Sequence, residues 1–284
     1  MLNPDGVSRG YWRFDTLGLN LNRCYKDPTP EAHPTIFAVK NAVISHKDNL
    51  KLYVDFHAHC TKKGFFIFGN SQSDQDLQYE SQMIPKLMSM NSVNFDIRQC
   101  VFSDDKLNIK DKKGDSRDGS GRAVMFRETD NNPFTYTFEA NYATGHRINT
   151  LAPRYDLEKE KKMIKEDSPI QDTSSSLYSG GKVPIYTPEI FADVGQSILV
   201  ALLDYDKINP VSRLIKKKGD TLDAAIEKLR EDMKKADEKP SISTIKKKLG
   251  VGKKKKFANK IDNFEIVENP KQKSPKEEEK KEVN

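Results

Sequence analysis

The residues with chemistry in them sit at the ends of apolar runs. Asp55, Phe56, His57, Ala58 and His59 close a short run that begins at Leu50. In open α/β sheets, function gathers at the carboxyl ends of strands. A neutral imidazole placed there can bind zinc through one nitrogen while a neighbour orients the other. A second run, Phe134 to Glu139, ends in a carboxylate. Partial desolvation at a strand end raises such a pKa toward the range of a general base. Arg13 and the pair Asn22-Arg23 lie in an Asn- and Gly-rich stretch near the start of the chain. Arginine presents a rigid fork that matches a carboxylate with two parallel bonds. Two arginines and an asparagine on one loop could hold a terminal carboxylate and polarise the carbonyl next to it. Each feature also has a plainer reading: histidines that cap a strand, solvated arginines, an exposed glutamate at a strand end.

These residues need elements to position them. Residues 1–25 read as loop, followed by a break at Pro28, Pro30 and Pro34. A helical pattern then carries Ile36, Phe37, Val39, Val43 and Ile44. Leu50 to His57 and Phe65 to Phe68 read as strands, the second ending in a Gly69-Asn70 turn. Residues 75–90 carry Leu77, Tyr79, Ile84, Leu87 and Met88 at amphipathic-helix spacing. Phe95 to Phe102, Ala123 to Arg127 and Phe134 to Glu139 read as further strands. Residues 152–182 are charged, with few apolar anchors, and read as a mobile insertion. Pro188 opens a helix with Ile190, Phe191, Val194, Ile198, Leu199, Leu202 and Leu203 on one stripe, and proline suits a first helical position. Strands alternating with helices indicate an α/β domain with a mixed, mostly parallel sheet over residues 1–215.

Past Leu214 the character changes. Lysines cluster at 216–218, 246–248 and 253–256. Residues 216–284 read as a lysine-rich, largely disordered tail broken by one short helix at Thr221 to Met233. The net charge is +6. A basic tail points to acidic partners, yet the lysines lack interleaved aromatics apart from Phe257, and no nucleic-acid-binding motif is visible. Cys24, Cys60 and Cys100 are odd in number and form no C-x-x-C pair, so nothing suggests a disulfide framework, which fits a reducing compartment. No run approaches the ~20 apolar residues of a membrane helix. The first residues lack the basic and apolar regions of a signal peptide, so the chain reads as cytosolic.

The ordered set Asn3-Pro4-Asp5-Gly6, Arg13, Asn22-Arg23, Asp55-x-His57 and the strand ending at Glu139 resembles the zinc carboxypeptidases over roughly residues 1–210. Three stretches are similar to the cytosolic carboxypeptidase branch: DFHAHCTKKGFFIFGN; GSGRAVMF followed by TYTFEANYATG; and YTPEIFADVGQSILVALLDYDKINP. The resemblance implies a three-layer carboxypeptidase-like fold and removal of glutamates from acidic protein tails such as those of tubulin. It implies a cytoplasmic location, associated with the cytoskeleton or cilium. It implies zinc, with His57 as one ligand. Glu139 is then the general base, and Arg13 the partner of the oxyanion. Asn22 and Arg23 grip the free carboxylate of the substrate. Arg122 falls at the specificity position, where a cation favours an acidic side chain. His59 and Asp55 are candidates for supporting roles.

The family also has a His-x-x-Glu motif that supplies two zinc ligands ahead of Asn-Pro-Asp-Gly. His33, His46, His57, His59 and His146 all lack a glutamate three residues on. The start at Met1 therefore reads as a truncation, with the fold incomplete at its N-terminus. The alternative function is an inactive module that binds acidic tails or microtubules through its arginines and basic tail.

Overall fold

The computed structural model describes residues 1–105, 107, 114, 116–158, 162–165, 168–215 and 220–238. The helices are α1 (Pro4–Ser8), α2 (Pro34–Ser45), α3 (Gln75–Asn91), α4 (Gly121–Glu128), α5 (Pro188–Tyr205) and α6 (Leu222–Glu238). The strands are β1 (Tyr53–His59), β2 (Phe65–Gly69), β3 (Val101–Phe102), β4 (Thr135–Asn141), β5 (Arg154–Asp156), β6 (Lys162–Ile164) and β7 (Val211–Ser212). They belong to a compact unit spanning Met1–Lys239.

The main sheet has the order β1-β4-β2-β3. The β1/β4 and β2/β3 pairings are parallel, and β2/β4 is antiparallel, so the sheet is mixed and mostly parallel as expected. One face packs on α3, α5 and α6: Phe65, Ile67, Tyr136 and Phe138 from the strands meet Met83, Ile84, Leu87, Val194 and Ile226. The other face carries a smaller core, where Tyr25, Ile36, Val124 and Met125 pack with Tyr53. Helices thus cover both faces, the layering that a mostly parallel sheet requires. The second sheet, β6-β5-β7, is small and antiparallel.

Local chemistry explains the element ends. Asp74 caps α3 by accepting from the Leu77 amide at 3.0 Å, the preferred use of aspartate at a helix start. Pro34 and Pro188 stand at the first positions of α2 and α5. Pro85 lies inside α3 and removes the donor that the Ser81 carbonyl would otherwise have. The buried Tyr136 hydroxyl takes that place, donating to the Ser81 carbonyl at 2.8 Å. The break in the helix is thereby satisfied from the sheet.

The structure corrects three expectations. Ala123 to Arg127 is helix, within α4, and not strand. Four apolar residues and an arginine fit either period, and the deciding bond comes from 99 residues away: Asn22 Oδ1 accepts from the Gly121 amide at 2.8 Å and holds the helix start. Phe95 to Phe102 is not one strand. Asp96 accepts from the Arg98 amide at 3.2 Å and starts a 3-10 turn over Ile97–Gln99, leaving only Val101–Phe102 as strand. The packed unit also runs past residue 215, because Leu222 and Ile226 of α6 join the larger core.

Within 152–182, the buried Tyr178 accepts from Asn94 at 2.9 Å and donates to the Ile170 carbonyl at 2.6 Å. The lysine-rich residues 216–219 and 239–284, expected to be disordered, lie outside the described residues.

Candidate active site at the carboxyl end of the parallel strand pair

Parallel pairing sets the first contact. His57 is the register partner of Glu139, and Asp55 of Thr137. Register partners share a face, and this face looks toward α4, where a Cβ at Gly121 would meet the Tyr53 hydroxyl at 2.9 Å and Asp55 Oδ2 at 3.2 Å. Antiparallel pairing adds Phe66 opposite Glu139 and Phe68 opposite Thr137.

The His57 ring meets two neighbours at one nitrogen. Its Nε2 lies 2.7 Å from Asp55 Oδ2 and 3.3 Å from the Asn22 amide. Asp55 thus orients one ring nitrogen, as partners of metal-ligating histidines do. Burial favours the neutral ring. The Asp55 bond, together with the charges of Asp55 and Glu139, outweighs burial and the opposing Arg23, and the His57 pKa is raised.

Glu139 is buried, and its Oε2 has no hydrogen-bond partner among the described residues. Burial pushes its carboxyl above the ordinary glutamate range. Asp55 adds to this, while His57 and Lys62 pull it back. A buried oxygen without a partner is rare and costly in a protein interior, and here it stands beside an imidazole. Such a carboxyl can take a proton and hand it on.

The cations come from loops. Asn22 and Arg23 lie in a single 3-10 turn, Leu21–Arg23. Arg23 Nη1 donates to the Asn22 carbonyl at 2.6 Å, and its charge is felt at His57. Gly119 is tight against this turn: its carbonyl accepts from the Tyr25 amide at 3.2 Å, and a Cβ on it would collide with the Arg23 carbonyl. Arg122 is buried in α4, with Nη1 on the Gly69 carbonyl and on Asn70 Oδ1 at 2.6 Å. Burial brings its guanidinium down to about 10, with Asp104 opposing from 3.8 Å. It stays charged at neutral pH.

The structure brings together His57, Glu139, Asn22 and Arg23, and it sets Arg122 further along β2 on the same side. Arg13 is exposed on the loop after α1, and no described contact joins it to these residues. His59 Nδ1 accepts from the Lys62 amide at 2.9 Å and shapes the turn after β1. Sequence reasoning missed Lys62. Its ammonium lies 4.1 Å from the Phe66 ring centre, beside Glu139. The signal was faint: a lysine preceding an aromatic strand.

A catalytic zinc takes three protein ligands and keeps one open position. Among the described residues, no group of three His, Cys, Asp or Glu could hold a metal. His57 offers one imidazole with Asp55 behind it, so the described residues do not complete a zinc centre. No helix of the described residues is long and apolar enough to cross a membrane.

No family model matches the chain. It is 26% identical over 314 residues to cytosolic carboxypeptidase-like protein 5 of Danio rerio, covering 76% of this chain and 34% of that protein. It is 34% identical over 213 residues to cytosolic carboxypeptidase 6 of Mus musculus, covering 74% of this chain and 32% of that protein. A metallo-carboxypeptidase from Pseudomonas aeruginosa, solved with (2-guanidinoethylmercapto)succinic acid, superposes with a TM-score of 0.47 at 18% identity, covering 73% of this chain and 45% of that one. The chain spans about a third of the length of these curated relatives. Over about three quarters of its own length, it is a relative of the cytosolic carboxypeptidases.

Proposed function

We propose that this segment supplies the proton-transfer and carboxylate-gripping residues of a metallocarboxypeptidase that removes glutamates from acidic protein tails. The observation that carries this reading is the buried Glu139 oxygen without a hydrogen bond, facing the Asp55-held imidazole of His57. Glu139 takes a proton from the attacking water and delivers it to the leaving amine. Asn22 and Arg23 hold the free carboxylate of the chain end. Arg122 faces an acidic side chain. Arg13, exposed on the loop after α1, is the cation that the resemblance assigns to the oxyanion. His57 would offer one imidazole to a zinc ion, which would polarise the scissile carbonyl; its further ligands are not among the described residues. Cytoplasmic polyglutamylated tails, tubulin foremost, are the substrates this reading names.

The test is release of free glutamate from a peptide with a polyglutamate end, with zinc supplied. Glu139→Gln is expected to lower the rate by at least about a hundredfold with an unchanged melting temperature. Equal rates for the two proteins would remove Glu139 from the reaction.

The absence of a three-ligand group among the described residues favours a second reading, a module that binds acidic tails without metal. It is chosen if the chain releases no glutamate yet binds the same peptide equally with zinc and with a chelator.

A further inference from the structure

Both neighbours of the His57 ring trace back to one residue without a side chain. The Gly121 amide donates to Asn22 Oδ1 at 2.8 Å, and Asn22 Nδ2 lies 3.3 Å from His57 Nε2. A Cβ on Gly121 would stand 3.2 Å from Asp55 Oδ2, the oxygen that meets the same ring nitrogen at 2.7 Å. An ionised carboxylate only accepts, so in the neutral ring Nε2 carries the hydrogen and Nδ1 keeps its lone pair. Asn22 Nδ2 is a donor as well, so it bounds the ring and does not bond it. Asp55 therefore sets the tautomer of His57.

Rings close the space at Gly121 on its other sides. The same Cβ would stand 2.9 Å from the Tyr53 hydroxyl and 3.0 Å from Tyr25 Cζ. Tyr25 is 1% exposed and packs with Ile36, Val124 and Met125, and Tyr53 leans on the same cluster. The two hydroxyls hydrogen-bond each other, and the charge of Asp55 reaches both. Non-bonded carbons sit best at about 3.5–4 Å, so a methyl group at 121 needs a neighbour to give way. Close-packed rings resist that movement. The Asp55 carboxylate ends a short side chain and turns away instead, leaving His57.

We propose that Gly121 is a positioning residue for His57: its amide fixes Asn22, and its bare Cα leaves the room in which Asp55 holds the ring in one tautomer. This rests on the reading of His57 as a site residue, and it adds the start of α4 to the parts on which that histidine depends. Alanine is a better helix former than glycine, so the cost of a methyl group at 121 falls on His57 and not on α4.

Long-range proton–nitrogen NMR spectra of the full chain, carrying isotope-labelled histidine, read the tautomer directly. They are recorded without metal and on the alkaline side, where the ring is neutral, and His57→Gln identifies the signals. The wild type is expected to show the Nε2–H form. In Gly121→Ala the ratio of the Nε2–H to the Nδ1–H form is expected to fall about tenfold, the loss of one charge-assisted bond, with the melting temperature kept within a few degrees. Asp55→Ala shows the same fall, and adding Gly121→Ala to it changes nothing further, because the glycine acts through the carboxylate. A wild-type ratio in Gly121→Ala overturns the proposal, as does a wild-type ring in the Nδ1–H form or a further fall in the double variant. A Gly121→Ala chain that no longer folds overturns it too, because the glycine would then support α4 and not His57. No metal or substrate enters the measurement, so each of these failures leaves the glutamate-release test to judge the reading of the site.

Discussion

Asn22 does two jobs with one side chain. Its Oδ1 accepts from the Gly121 amide at 2.8 Å, and its Nδ2 reaches His57 Nε2 at 3.3 Å. Ser120, the residue at the cap position of α4, makes no side-chain cap bond, so the helix start depends on this distant amide. Asn22→Ala is expected to cost about 1 kcal/mol of stability, the usual size of a lost cap, measured by urea unfolding. It also loosens His57. A variant as stable as wild type would show that Asn22 is not the cap. The same residue explains what the sequence could and could not disclose. Asn22, Arg23, His57 and Glu139 were recognisable by type and order, but the bond between Asn22 and α4 joins positions 99 apart and leaves no local pattern. Lys62 was invisible for the same reason: only folding sets its ammonium on Phe66 and Phe68.

Elements were legible where periodicity was long. β1, β2, β4, α3 and α5 carry runs or stripes that one period explains, and the structure places each within a few residues of expectation. α4 was read as strand because eight residues opening on Gly121 give too few turns to separate the periods. The Pro85 break in α3 depends on tertiary contact. Tyr136 donates to the Ser81 carbonyl at 2.8 Å, and both residues are fully buried. Tyr136→Phe leaves that carbonyl buried without a donor and is expected to cost about 2 kcal/mol. A change of only a few tenths would mean that water or a neighbour replaces the hydroxyl. A second buried acceptor works in the same way between α3 and α5. Asp204 accepts from Asn91 at 2.8 Å, and from Asn209 and Ser212 at 2.7 Å each. Asp204→Ala strands these donors, and about 3 kcal/mol of lost stability is expected from two or three unpaired groups.

For the molecule as a whole, composition misplaced a boundary. The helix expected at Thr221 to Met233, within the charged stretch after Leu214, belongs to the core. Leu222 and Ile226 of α6 are buried, and Arg230 bonds Glu80 of α3 at 2.9 and 3.1 Å. A chain cut after Ile215 is expected to lose about 4 kcal/mol, mostly from uncovering the core surface that those two side chains pack against, and to melt lower than the full chain. Equal melting would place α6 outside the cooperative unit. The central claim is that the end of β1 and β4, with the Asn22-Arg23 turn, receives the free end of an acidic peptide. The most direct measurement compares the affinity of the full chain for a pentaglutamate peptide with a free carboxyl end and for the same peptide ending in an amide. The free acid is expected to bind at least about tenfold more tightly, the difference one paired carboxylate makes. Equal affinities would contradict the account, because they would mean that the chain reads acidity along a peptide and not its end.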